Sequence, residues 1–191
     1  MILPIVAYGH PILKKVAVDI TPDYPGLKEL IDNMWETMYA DDGIGLAAPQ
    51  VNHSIRIFVI DASHLEEKTP KAVIPLKNVF INAHIIEEEG ELWPFSEGCL
   101  SVPDIHEDVM RKPRIRIQYV DENFVAHDEW HDGVFARVIQ HEYDHTDGML
   151  FVDRLSPLRK IMLKRKLSDL SMGKVKTKYK MIFPVQPKGK K

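Results

Sequence analysis

Residues 140–145, "QHEYDH", contain the pattern His-Glu-x-x-His. On a helix, residues four apart lie one turn above each other, so His141 and His145 can grip one metal ion from the same face. Glu142 falls about 100° round the helix from His141 and about 60° from His145. Its carboxylate then sits beside the ion, where it can take a proton from water that the ion activates. This is the chemistry of a metal-dependent hydrolase. The bland alternative is two histidines at the edge of a core with a glutamate on the surface. Two imidazoles also leave the ligand set short. In the extended pattern that adds a third histidine, the chain reads "HEYDHTDGMLF", and Phe151 stands at the ligand position. A thermolysin-like site would use a later glutamate, and none follows Glu142. Asp153 lies too near the helix end, and Asp169 sits on a lysine-rich helix. The third ligand must come from upstream, from Cys99 or from His10, His53, His64, His84, His106, His127 or His131. Cys99 lies in "EGCLSVP", where Gly98 permits close backbone approach and Leu100 and Val102 argue against an exposed loop tip. A free cysteine is more often a small buried hydrophobe than a ligand, so the residues alone leave this choice open.

A second stretch, "GIGLAAPQ" (residues 43–50), places small residues directly after an amphipathic helix, which suits a segment pressed against a backbone or ligand. Gln50 brings an uncharged amide that can donate to a carbonyl oxygen. No Gly-Lys-Ser/Thr follows, so a phosphate loop is excluded. A tight turn with no further role remains the alternative.

Taken together and in this order, "GIGLAAPQ", "EGCLS" and "QHEYDH" resemble the signature motifs of the peptide deformylases, and "YGHPILKK" (residues 8–15) is similar to that family's opening. The resemblance implies that Cys99, His141 and His145 hold one divalent ion with water at the fourth position. It implies that Glu142 is the general acid/base, that Gln50 and the Leu100 backbone N–H form the oxyanion site, and that Gly45 hydrogen-bonds the substrate backbone. The implied reaction is hydrolysis of the formyl group from the N-terminal formylmethionine of newly made polypeptides. A supporting ion pair between Glu97 and Arg111 is also implied. The family is typically iron(II)-dependent, so Fe(2+) is the first expectation. Zn(2+) is the second, and Co(2+) and Ni(2+) also suit a thiolate with two imidazoles. Two residues depart from the pattern: Thr146 where leucine is usual, and His106 where many members carry arginine. The basic C-terminal helix resembles that of a branch in which such a helix is associated with the ribosome.

Methionine selection calls for an apolar pocket beside the ion. Ile44, Val134 and Val138 are its expected walls, with the stem of Arg137 near its mouth; Val134 and Val138 equally suit plain core.

Several elements must position these residues. Leu27, Leu30, Ile31, Met34 and Met38 repeat as one helix face, predicting a helix from near Pro25 that stops before Gly43. Strands are predicted around 55–59, over 77–86, and over 115–119 paired with 124–130, with Glu87-Glu88-Glu89-Gly90 as an acidic turn. The metal helix should span Gly133 to Asp147, with Asp132 as N-cap and Gly148 just beyond. A last helix starts at Ser156-Pro157 and ends at Gly173, and a short strand fits around 179–183. The order is that of an α+β domain, peptide-deformylase-like, with mostly antiparallel strands packed around a central metal-binding helix, an N-terminal helix and a C-terminal basic helix.

The 191 residues suit one catalytic domain over 1–173, followed by a basic, partly flexible tail over 174–191. From Arg154 onward there are 13 basic side chains against one acidic, net +12, whereas the preceding 153 residues carry 12 basic and 27 acidic, net −15. Such a tail fits a polyanion such as ribosomal RNA, or simply a solvated helix with a frayed end. On the docking reading, truncation after Gly173 leaves hydrolysis of short peptides intact. No stretch is apolar enough for a membrane span, and the single cysteine suits a reducing compartment, so a cytoplasmic protein is expected. Two readings compete with deformylation. A zinc peptidase gives "GCLS" no role, and a non-catalytic ribosome- or RNA-associated metal-binding protein needs neither Glu142 nor Gln50.

Overall fold

The computed structural model describes residues 1–63 and 77–184; His64 and the tail beyond 184 lie outside them. It is an α+β fold, as expected. The strands are β1 (Ile5–Val6), β2 (Gly45–Ala47), β3 (Ile57–Asp61), β4 (Lys77–Glu89), β5 (Trp93–Cys99), β6 (Val102–Arg111), β7 (Arg114–Val120), β8 (Ala126–Asp132) and β9 (Met181–Ile182). The helices are α1 (Leu27–Ala40), α2 (Gly133–Thr146) and α3 (Pro157–Ser171). An antiparallel sheet in the order β2-β3-β4-β7-β8 carries α2 against it, and β5-β6 forms a separate hairpin.

The apolar stripe of α1 puts Leu30, Ile31, Met34 and Met38 into one core with Leu46, Ile57, Val59 and Ile81. The sheet's other side packs Phe58, Phe80, Ile115 and Ile117 against Phe135, Ala136 and Ile139 of α2. A third core lies beneath the β5-β6 hairpin, where Val102, Ile105 and Val109 meet Phe151, Leu163 and Leu167. The active face of α2 is therefore clamped between sheet and hairpin.

Three differences from the sequence reading have physical causes. The acidic run 87–89 stays within β4 because arginines on β7 pair with it: Arg116 bonds Glu87 at 2.8 Å and Arg114 bonds Glu89 at 3.1 Å. The β5-β6 hairpin was not legible as strands. In β6 the buried positions are Val102, Ile105, Glu107, Val109 and Arg111, so two of five are charged and the apolar alternation breaks. Asp132 does occupy the N-cap position of α2, but its side chain makes no cap bond; it reaches Arg114 at 3.4 Å instead. Ser156 does cap α3, accepting from the Arg159 N–H at 3.4 Å.

Beyond Gly173 the chain folds back. β9 lies inside the stretch read as a short strand and pairs in parallel with β1.

Candidate active site

The α2 helix stacks His141 over His145, with ring centroids 5.1 Å apart. The tip of β5 brings Cys99 to the same point, its Sγ 3.4 Å from His145 Nε2. One ligand atom from each of the three residues lies within 4.8 Å of the others, and among the described residues no other such cluster occurs. Around a tetrahedral ion, with sulfur at about 2.3 Å and nitrogen at about 2.0–2.1 Å, neighbouring donors stand about 3.5 Å apart. The Cys99–His145 spacing fits. Four of the other candidate histidines are engaged elsewhere. His10 caps the 3-10 turn at Pro11–Lys14, while His84 faces Asp19, His127 faces Asp121 and His131 faces Glu129. Phe151, at the position of the missing histidine, stacks beside His141 with centroids 6.1 Å apart.

Each imidazole is prepared differently. Glu97 Oε2 lies 2.9 Å from His141 Nδ1, so the ring's other nitrogen is turned toward Cys99. Burial holds the pKa of His145 well below its ordinary value, which keeps it neutral and able to donate a lone pair. Its Nδ1 is buried without a protein partner.

Glu97 is the hub of a buried charge network. Arg111 grips it with two bonds of 2.7 and 2.9 Å, and Arg137 adds a third at 3.0 Å. Burial opposes its charge, but Arg111 and His141 outweigh that and hold its pKa far below the usual range. Arg111 also bonds Asp144 at 2.7 Å, and Arg154 bonds Asp144 at 2.6 and 2.5 Å. The Glu97–Arg111 pair is the one that the family resemblance implies; Asp144, Arg137 and Arg154 as partners are not part of that expectation. Asp144 sits inside the His-Glu-x-x-His stretch, yet nothing in its spacing says that it points away from the ion toward arginines. Removing Arg111 takes three bonds from two buried carboxylates and leaves Glu97 to Arg137 and His141, and Asp144 to Arg154. Arg111→Ala is expected to destabilise the fold by less than the about 3–5 kcal/mol of a fully stranded buried charge, read from urea unfolding, and to loosen His141.

Glu142 is buried, and its Oε2 has no hydrogen-bond partner. Desolvation lifts its pKa to about 7. Gly45 makes room for it: a Cβ there would lie 2.5 Å from Glu142 Oε1. Gln50 is the third residue of the 3-10 turn Ala48–Val51 and is also buried. Its Oε1 accepts from the Ala47 N–H at 2.8 Å, so its amide hydrogens face Cys99 Sγ and Ser101 Oγ, each 3.3 Å away. Leu100 and Ser101 form the turn between β5 and β6, because Cys99 pairs with Val102.

These groups line a cavity of about 630 Å³. Ile44, Val138 and Arg137 are in its wall; Val134 is not among the lining residues. The Arg137 guanidinium lies beneath the hairpin, bonded to Glu97 and to the Val109 and Trp93 carbonyls and stacked on Trp93 with a centroid distance of 4.7 Å. Arg137 thus acts mainly as a buried cation that supports the wall. His106 borders the cavity and packs over Gly98, where a Cβ would lie 2.5 Å from its ring nitrogen. The other departure, Thr146, accepts from the buried Arg56 guanidinium at 3.0 Å and donates to the Tyr143 carbonyl at 2.7 Å. Arg56 also bonds Asp147 at 2.8 Å, so the hydroxyl belongs to an ion-pair network behind α2. Leucine there would leave an arginine donor unpaired.

The family model for polypeptide deformylase matches residues 2–161. A peptide deformylase from Flavobacterium johnsoniae is 54% identical over 196 residues, covering 100% of both chains. One from Christiangramia forsetii is 56% identical over 190 residues, covering 96% of this chain and 97% of its own. Among solved structures, a peptide deformylase from Legionella pneumophila superposes with a TM-score of 0.78 at 33% identity, covering 93% of this chain and 99% of its own. That from Ehrlichia chaffeensis gives a TM-score of 0.80 at 31% identity, covering 88% and 96%. With its thiol, two imidazoles and buried glutamate in one cleft, the chain belongs to the polypeptide deformylase family, metal-dependent hydrolases that remove the formyl group from the N-terminal methionine of nascent peptides.

Proposed function

We propose that this chain deformylates nascent peptides through Cys99, His141 and His145 as the ligands of one divalent ion, with Glu142 as the proton carrier and Gln50, Leu100 and Gly45 holding the substrate. The observation that carries this reading is the convergence of the three donors beside a buried glutamate oxygen with no protein partner. A bound ion supplies Lewis-acid chemistry, polarising the formyl group and lowering the pKa of water at the site to about 7. Glu142 takes a proton from the attacking water and passes it to the departing amine nitrogen, which is a poor leaving group without it. The Gln50 amide and the Leu100 N–H meet the oxygen that becomes negative as the formyl carbon turns tetrahedral, each worth about 3 kcal/mol by analogy with other oxyanion holes. Gly45, on the edge strand β2, offers backbone to an extended peptide. Water adds across the formamide C–N bond, giving formate and a free N-terminal methionine.

Ferrous iron is the proposed metal and zinc the second choice, since one thiolate with two imidazoles suits either. Ile44 and Val138 are the proposed methionine contacts. The site of action is the cytoplasm, where peptides still carry the formyl group. The exposed lysines and arginines of α3 and the basic tail are a proposed contact with the ribosome.

Iron-loaded protein, kept anaerobic and mixed with formyl-Met-Ala-Ser, is expected to release one formate per new amine. Cleavage of internal peptide bonds without formate would instead support the peptidase reading.

A further inference from the structure

The segment after α3 returns to the catalytic cleft. Lys176, Thr177, Lys178 and Tyr179 border the same cavity as Gln50, Cys99 and Glu142. Backbone bonds anchor the segment on β1: the Ile5 N–H donates to the Lys180 carbonyl and the Ala7 N–H to the Ile182 carbonyl, both at 2.9 Å. From this anchored segment, two residues before β9, the Tyr179 hydroxyl donates to the Leu100 carbonyl at 2.8 Å. Leu100 is half of a two-residue turn, the part of a hairpin that moves most readily when untethered. The turn is held from three directions. The Tyr8 N–H donates to the Ser101 carbonyl at 2.9 Å, Gln50 bonds the Ser101 hydroxyl at 3.3 Å, and Tyr179 takes the Leu100 carbonyl.

We propose that Tyr179 is a positioning residue for the deformylation reaction: its hydroxyl fixes the backbone at Leu100 so that the Leu100 N–H is aimed at the developing oxyanion. The catalytic unit then extends to β9 and does not end at Gly173. This rests on the Leu100 role argued above. The tyrosine's two contributions are separable. Its ring packs against the α1 core beside Leu100 and Met181, which a phenylalanine would also do, whereas only the hydroxyl reaches the Leu100 carbonyl. An oxyanion donor works by being aimed in advance, so a loosened turn weakens the transition state more than the bound substrate.

The test uses the full chain and its Tyr179→Phe variant, both iron-loaded under anaerobic conditions, with formyl-Met-Ala-Ser as substrate. Metal per chain and KM are expected to stay within about twofold of the parent while kcat falls about tenfold, a loss of about 1.4 kcal/mol in transition-state binding. A second variant ending at Val175 loses both hydroxyl and cleft wall, and its kcat/KM is expected to fall by about a hundredfold with metal retained. The idea is overturned if Tyr179→Phe matches the parent kcat, even with a lowered melting temperature, or if its whole deficit lies in KM. It is equally overturned if the shortened chain hydrolyses the tripeptide at the parent rate, as the reading of the tail purely as a docking element expects. A parent chain that releases no formate speaks against the deformylation reading instead, and that is seen before any variant is compared.

Discussion

Glu142→Gln is expected to bind metal as fully as the parent and to lose about 10²–10⁴ in kcat. Glutamine has the shape of glutamate, so it fits the space that Gly45 leaves beside the carboxylate. Alanine would open that space and confound the result. What glutamine lacks is the ability to accept the proton of the attacking water and return it to the amine. Stability should change little, because burial already disfavours the charged carboxylate and one of its oxygens has no protein partner. The measurement pairs metal content with initial rates of formate release at saturating substrate. Near-parent turnover in a metal-replete variant would remove Glu142 from the proton path and send the search to another group in the cleft.

Cys99→Ala is expected to abolish metal retention, from about one ion per chain to almost none after desalting. Two imidazoles on one helix remain, and a two-donor site holds a divalent ion far more weakly than three converging donors. Activity should vanish with the metal. A second readout does not depend on turnover. An ion that binds only the folded chain stabilises it by about 2.7 kcal/mol at a hundred times its Kd, so a chelator should lower the melting temperature of the parent. The same chelator should leave Cys99→Ala unmoved. The hairpin itself should survive, since Cys99 is a small side chain only partly buried against the third core. Full occupancy in this variant would mean that the third ligand is another residue.

Much of the fold was legible because it follows from short-range rules. The α1 stripe, the capped α3 and the β7–β8 hairpin announce themselves through apolar period and capping residues within a few positions of one another. The β5-β6 hairpin carries the site yet stayed hidden. Its inward side chains include Glu107 and Arg111, and their burial is tolerable only because partners arrive from far along the chain: Arg159 for Glu107, and Glu97 and Asp144 for Arg111. Local hydropathy cannot anticipate a partner 33 or 52 residues away. Arg137 shows the same effect: it lines the cavity as expected, and only the long-range partners Glu97 and the hairpin's carbonyls explain why its guanidinium is buried.

The chain's sequence by itself determined the reacting types. His141, Glu142 and His145 share one helical neighbourhood because of the 3.6-residue turn, and three ordered motifs single out Cys99 and Gln50. Tertiary structure alone brings Cys99 to that helix, occupies the amide oxygen of Gln50 with the Ala47 N–H, and places the Tyr179 hydroxyl, on the segment leading into β9, against the Leu100 carbonyl. The division is physical. Helical periodicity acts over about a turn and is written in adjacent residues, whereas convergence of Cys99, Gln50 and Tyr179 depends on how sheets and hairpins pack, a sum of weak contacts spread over the whole chain.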